Sequence, residues 1–252
     1  MSDSGFVRVE IKAGVGDISF HHPKGNSLPA NLLRRLTRSV DDLAASADVR
    51  VLTLSSRGKR TFCSGASFDE MLAVKDGLGA RKYFMNFGRL ILAMKRCPKF
   101  ILTRVQGKAV GGGVGVIAAS DYVLAHEEAS LRLAEFTLGF GPFVIGPAVE
   151  RKIGLAAFAA ASIDTEWRPA SWAAERGLYT QIFSTPEELD QACYSLAARL
   201  ARTSLEATAA LKSIFWEGTD DWEELLAGRA EISGHLVLSD FTSEAIAAVR
   251  KR

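Results

Sequence analysis

The chain has little that would tie it to a metal, a membrane or a polyanion. Its three cysteines, Cys63, Cys97 and Cys193, are scattered and lack metal-ligand spacing, so neither a disulfide framework nor a zinc site is expected and a reducing compartment fits best. No uninterrupted apolar run approaches the roughly 18 residues that a membrane span needs. The start, Met1-Ser-Asp-Ser-Gly5, has no basic stretch followed by an apolar one, which predicts a cytoplasmic protein with no membrane partner. Neither sign of charge is in excess. With 31 Lys and Arg against 29 Asp and Glu, and no dense basic stripe, a nucleic-acid partner has no electrostatic basis.

What the chain does have is apolar content for a full core: 48% of its 252 residues are hydrophobic, enough for one large domain or one with a small appendage. Val7 to Ile11 and Gly16 to Phe20 alternate like the two strands of a hairpin. A helix is expected from Ser27 or Pro29, carrying Leu32, Leu33, Leu36, Val40 and Leu43 at helical spacing. Strands are expected at Val49–Leu54, Phe100–Val105, Tyr122–Ala125 and Leu131–Leu133. Between them lie helical patterns at Ala80–Met94 and Ile145–Ile153. Strands alternating with helices predict a layered α/β fold. From about Pro186 the pattern becomes helical throughout (Glu187–Arg202, Leu205–Phe215, Trp222–Leu236, Thr242–Arg250), with no linker rich in Pro, Gly or Ser before it.

The most informative stretch is Gln106-Gly-Lys-Ala-Val-Gly-Gly-Gly-Val-Gly115, a glycine triplet where a strand gives way to a helix. Glycines there let backbone approach a ligand closely, and the unpaired N–H groups of the helix start can hold negative charge. About 45 residues upstream stands Phe62-Cys-Ser-Gly-Ala-Ser-Phe-Asp69. In this order and at this separation the two motifs resemble those of the crotonase (enoyl-CoA hydratase/isomerase) family. The resemblance extends to Pro23-Lys-Gly-Asn-Ser-Leu28, Ser171 to Leu178, Lys212 and Ser239 to Ile246, and so covers essentially the whole chain.

That resemblance implies a spiral of β-β-α units over residues 1–185, holding an oxyanion hole and an acyl-CoA site. Residues 186–252 would form a helical region that builds a homotrimer or a hexamer of two trimers. It implies that the N–H groups of Ala66 and Gly112, flanked by Gly65, Ser67 and Gly111, grip a thioester oxygen, and that Glu135 is the acid/base. Lys24 matches a position along the CoA path, and Phe68, Met71, Leu72, Phe84 and Phe87 fall where the family wraps the acyl chain. No metal and no separate cofactor are implied; coenzyme A comes with the substrate. Enolate charge developing on a thioester oxygen is stabilised by a few kcal/mol per fixed donor. The apolar neighbours Leu133, Phe136, Leu138 and Phe140 would desolvate the Glu135 carboxylate and raise its pKa.

The chain departs from hydratases at two places. Where they carry a first catalytic glutamate it has Gly115, and after Pro142 it has Phe143 in place of a small residue whose N–H helps hold the attacking water. A single glutamate resembles the isomerase arrangement, in which one base moves a proton from C2 to C4. Some hydratase-lyases also work with that glutamate alone, and the stretch Phe140 to Gly154 resembles a bacterial branch labelled enoyl-CoA or methylglutaconyl-CoA hydratase. Hydratase and isomerase both remain open, beside a non-catalytic acyl-CoA-binding or scaffold member of the fold. Asp69 and Glu70 are placed at a helix start within reach of the acyl pocket, and His235 in the last helices. His21, His22 and His126 are placed in loops, Asp121 at a turn, and the cluster Arg57-Gly-Lys-Arg60 where it could meet phosphates.

Overall fold

A computed structural model describes residues 5–250, the side chain of Arg250 excepted. Residues 1–4 and 251–252, which include most of the Met1–Gly5 segment, lie outside that description. The chain opens on β1 (Phe6–Lys12) and β2 (Val15–His21), antiparallel from Phe6↔His21 to Lys12↔Val15. The two-residue turn between them, Ala13-Gly14, has positive φ at both positions, the geometry that matches the twist of paired strands. Helix α1 (Ala30–Ala45) then buries Leu32, Leu33, Leu36, Val40 and Leu43, the stripe its spacing predicts.

Three units follow, each made of two strands and a helical segment. The first is β3 (Val51–Ser56), β4 (Thr61–Cys63), α2 (Phe68–Ala73) and α3 (Gly77–Arg96). The second is β5 (Ile101–Val105), β6 (Lys108–Val110) and α4 (Gly112–Ala118). The third is β7 (Tyr122–His126), β8 (Leu131–Arg132), a one-turn 3-10 helix at Glu135–Leu138, and α5 (Gly146–Asp164). After α6 (Ala170–Glu175) comes a last short strand, β9 (Gln181–Phe183). The first strand of each unit joins a six-stranded sheet in the order β1-β2-β3-β5-β7-β9, and the second joins a three-stranded sheet, β4-β6-β8. Beyond the opening hairpin these strands pair with one another in parallel, and an antiparallel bridge ties Leu131 to Arg168. The chain therefore winds as a spiral, advancing one strand per unit in both sheets.

This winding positions the site. Because β4 pairs with β6 (Cys63↔Ala109) and β6 with β8 (Val110↔Arg132), the segments leaving the three short strands emerge side by side. These are residues 64–67, 111–112 and 133–135, far apart in sequence and adjacent in space.

The remaining helices are α7 (Pro186–Leu200), α8 (Leu205–Phe215), α9 (Trp222–Val237) and α10 (Asp240–Arg250). Helix α7 starts with a capping box between Thr185 and Glu188, a reciprocal bond that satisfies two end donors. It packs Leu189, Cys193 and Ala197 on Val51, Leu102 and Leu124 of the six-stranded sheet. Helix α9 lies along α3 so closely that a methyl at Gly234 would sit 3.0 Å from the Ala80 side chain. No helix among the described residues is long and apolar enough to cross a membrane.

His21 and His126, expected in loops, instead end β2 and β7, and one helix runs further than expected. The helix expected at Ile145–Ile153 continues to Asp164, with a break at Gly154, whose φ of 77° only glycine adopts readily. Apolar spacing fades at that break, but the alanine-rich stretch beyond it has the highest helix propensity available. The strands β4, β6 and β9, three residues each, carry no signal along the chain because three residues are too few to show alternation.

Candidate functional site

The three emerging segments meet at a pocket with a cavity of about 70 Å³. The first contributes Ser64, Gly65 and Ala66, the second Val110, Gly111 and Gly112, the third Ala134 and Glu135. Glycine is required at the contacts between them. Gly65 has φ of 86°, and a methyl on it would lie 2.9 Å from the carbonyl oxygen of Val110 and 3.6 Å from the Gly112 nitrogen. The first segment thus rides directly on the second. A methyl at Gly112 would fall 2.3 Å from a ring carbon of Phe87, and one at Gly113 would strike the Cys63 side chain at 2.7 Å. Backbone bonds fix the segments: Leu28 N–H donates to the Gly65 carbonyl at 2.8 Å, and Gly111 N–H to the Arg132 carbonyl at 3.0 Å. Among the described residues, no backbone carbonyl accepts from the N–H of Ala66 or Gly112.

Glu135 opens the one-turn 3-10 helix and turns its carboxylate onto the glycine triplet. Its Oε1 would lie 2.7 Å from a methyl placed on Gly111, so a side chain at 111 and a carboxylate at 135 exclude each other. Its Oε2 is buried and has no hydrogen-bond partner among the described residues. Buried polar atoms are seldom left so unless a ligand or a proton completes them. Burial pushes the carboxyl up from its ordinary 4.5 to about 7, against weaker downward pulls from the Glu135 and Ala134 backbone N–H groups and from Arg132. Among the described residues it is the one ionisable side chain lining the pocket. Cys63, beneath the first segment, is a different case: burial pushes its thiol up to about 12, which leaves no thiolate for chemistry.

The remaining wall is apolar. Phe68 and Met71 come from α2, Phe84 and Phe87 from α3, and Leu138, Phe140 and Phe143 to Ile145 from the segment before α5. Of the residues expected here, Gly65, Ala66, Phe68, Gly111, Gly112, Glu135 and Phe143 line the pocket. Ser67 instead caps α2, accepting from Glu70 N–H at 3.4 Å, while its carbonyl accepts from the Tyr83 hydroxyl at 2.7 Å. Lys24 and Asp69 form an ion pair at 2.6 Å on the surface. Glu70 accepts from Ala30 N–H at 2.7 Å and so ties α2 to the start of α1. Leu72 and His235 are exposed and outside the pocket. His22 is buried in the turn after β2, 2.8 Å from the Ser27 hydroxyl. Beside it, Asn26 donates to the carbonyls of Arg57 and Thr61, which places the exposed Arg57–Arg60 loop next to the Pro23–Leu28 turn. Ile145 and Ser233 were not anticipated. Ser233 reaches the pocket from α9, 118 residues after Gly115, the end of the nearer motif, and the packing of α9 on α3 brings it there.

The sequence profile of the enoyl-CoA hydratase/isomerase family matches residues 10–245. The chain belongs to this family. It is 29% identical over 252 residues to a probable enoyl-CoA hydratase of Rhodobacter capsulatus, covering 98% of this chain and 95% of that one. It is also 23% identical over 264 residues to a peroxisomal Delta(3,5)-Delta(2,4)-dienoyl-CoA isomerase of Arabidopsis thaliana, covering 96% and 92%. A solved enoyl-CoA hydratase from Bacillus halodurans superposes with a TM-score of 0.88 at 20% identity, covering 96% of this chain and 99% of that one, which shows that the fold is shared.

Within this enoyl-CoA hydratase/isomerase fold the departure at Gly115 has a packing partner. A methyl at Gly115 would lie 2.5 Å from Ile145 Cγ2 and 2.6 Å from its Cβ. The Cβ is fixed to the backbone, so swinging the side chain away does not make room. The N–H of Phe143 is also engaged, donating to the Gly141 carbonyl at 2.7 Å. Gly115→Glu alone is therefore expected to destabilise the protein by more than the ~1–3 kcal/mol of ordinary overpacking, because a carboxylate is buried as well. Urea denaturation measures this, and a variant as stable as the parent would show that Ile145 does not fill the space.

Proposed function

We propose that the chain transfers a proton along the acyl group of an enoyl-CoA thioester, shifting a double bond without adding water. The N–H groups of Ala66 and Gly112 hold the thioester oxygen as enolate charge develops on it. The Glu135 carboxylate takes the C2 proton of a 3-enoyl group, the electron pair moves into the dienolate, and the same carboxyl returns the proton at C4. The product is the 2-enoyl thioester, and Glu135 ends as it began. A carboxyl with pKa near 7 is matched to this work, since it is basic enough to deprotonate a carbon acid and acidic enough to give the proton back.

The observation that carries this reading over hydration is the packing of Ile145 against Gly115, together with the engaged Phe143 N–H. The places at which the family's hydratases orient water are occupied by an aliphatic side chain and an internal hydrogen bond. Hydration is the second reading, favoured by the name of the Rhodobacter capsulatus relative. A binding-only protein is disfavoured by the buried, unpartnered oxygen of Glu135, whose desolvation is a standing cost with no role in binding alone.

Mass spectrometry of 2-butenoyl-CoA and 3-butenoyl-CoA incubated with the enzyme in heavy water distinguishes the three. Deuterium uptake at unchanged composition is expected. A product heavier by the elements of water would overturn the isomerase reading in favour of hydration, and tight binding with no uptake would leave only a binding protein.

A further inference from the structure

The acyl end of the pocket carries information about the substrate that the motifs do not. Its walls are Phe84, Phe87, Leu138, Phe140, Val144 and Ile145, all buried hydrophobics. The Phe84 and Phe140 rings meet edge to face with centroids 5.6 Å apart, and Tyr83 backs Phe84 at 5.3 Å. Tyr83 is anchored in turn by its hydroxyl bond to the Ser67 carbonyl. This wall cannot swing open by a simple rotamer change, because each ring is held by the next. The cavity is about 70 Å³. That is small beside the roughly 300–1,000 Å³ of pockets that hold drug-sized ligands. Among the described residues the only polar side chains lining it besides Glu135 are Ser64 and Ser233, and the Ser233 hydroxyl already donates to the Arg229 carbonyl at 3.0 Å. None of the described cations lines the pocket.

We infer that this site takes a short, uncharged acyl group, and that it rejects both long-chain and dicarboxylic acyl groups, with Phe140 and Phe84 setting the length. The inference rests on the acyl-CoA reading above. A chain longer than the cavity must displace packed rings or double back into water. A distal carboxylate would enter an apolar wall with no partner, and would sit near the Glu135 carboxylate, a like charge. A dicarboxylic substrate of the methylglutaconyl kind, which the Phe140 to Gly154 stretch suggested by resemblance, does not fit such a wall.

Titration calorimetry of the purified protein with butanoyl-, decanoyl- and glutaryl-CoA, all saturated and so unreactive, reads the pocket without depending on turnover. Butanoyl-CoA is expected to bind at least about tenfold more tightly than decanoyl-CoA, the size of discrimination that a methylene or two supplies, and roughly a hundredfold more tightly than glutaryl-CoA, whose charge is buried unpaired. Phe140→Ala, or the milder Phe140→Leu should the first fail to fold, is expected to raise the affinity for decanoyl-CoA relative to butanoyl-CoA while glutaryl-CoA stays weak. Equal binding of decanoyl- or glutaryl-CoA by the unmodified protein overturns the inference, as does failure to bind any of the three. Selective binding of butanoyl-CoA with no deuterium uptake from heavy water leaves the inference standing and removes the isomerase reading instead.

Discussion

Glu135→Gln is expected to lower kcat by about 10²–10⁴-fold, the share that general acid/base catalysis supplies, while saturated acyl-CoA still binds. The amide fills the same space over Gly111 and cannot take a proton. In the unmodified enzyme, kcat for the 3-enoyl to 2-enoyl direction should rise as pH passes through about 7, because the base must be ionised, and should level off above it. Steady-state kinetics across pH on both proteins checks this, and a variant with parental turnover would remove Glu135 from the mechanism.

The same carboxyl makes a prediction about stability with the opposite sense from most acidic groups. In the unfolded chain it ionises near 4.5 and in the folded chain near 7. Between those values the folded state binds the proton more tightly, so stability falls as pH rises through the window, and the deficit is complete above it. Glu135→Gln should therefore be more stable than the parent at pH 8, by on the order of 3 kcal/mol, and equal to it below pH 4.5. A loss of activity accompanied by a gain in stability is hard to produce by misfolding. Thermal or urea denaturation at both pH values reads it directly.

Lys212→Ala is expected to cost about 3–5 kcal/mol of folding stability, the penalty for leaving one member of a buried ion pair alone. Lys212 on α8 lies 2.7 Å from Asp121, with side chains 2% and 5% exposed, and also donates to the Lys99 carbonyl at 2.9 Å. Asp121 accepts from Ile101 N–H at 2.8 Å as well, so one carboxylate joins the residues after α4 to the start of β5 and to α8. Breaking the pair loosens the far end of the helix whose first residue is Gly112. Lys212→Met combined with Asp121→Asn should lose less than Lys212→Ala alone, since the asparagine oxygen can still accept from Ile101 and no charge is stranded. Urea midpoints of the single and double variants test this, and a double variant worse than the single would show that the pair's charge is not what matters.

Much of this molecule is legible along the chain because its signals are local. The stripe Leu32 to Leu43 buries as its spacing requires, helix α8 spans Leu205–Phe215 as its apolar pattern predicts, and the two opening strands pair as a hairpin. The glycine motifs were readable for a related reason. Where backbone must approach backbone within 3 Å, as Gly65 approaches the Val110 carbonyl, only glycine serves, and the constraint leaves a visible mark. What escaped notice depended on partners remote in sequence. The three-residue strands exist through their pairing with one another, and Asp121, which reads as a turn residue, turns out to be half of a buried pair with a lysine 91 positions away.

By itself, then, the sequence determined the family, the α/β spiral and the two glycine segments, since each depends on which residue types occupy nearby positions. Tertiary structure alone decided what those residues can do. It turned Lys24 toward Asp69 and Glu70 toward the start of α1, and it left one oxygen of Glu135 buried with no partner among the described residues. It also set Ile145 against Gly115 and walled the pocket with Phe84 and Phe140. Desolvation and excluded volume are properties of everything surrounding an atom, and the neighbours that supply them here are brought together by the winding of the two sheets.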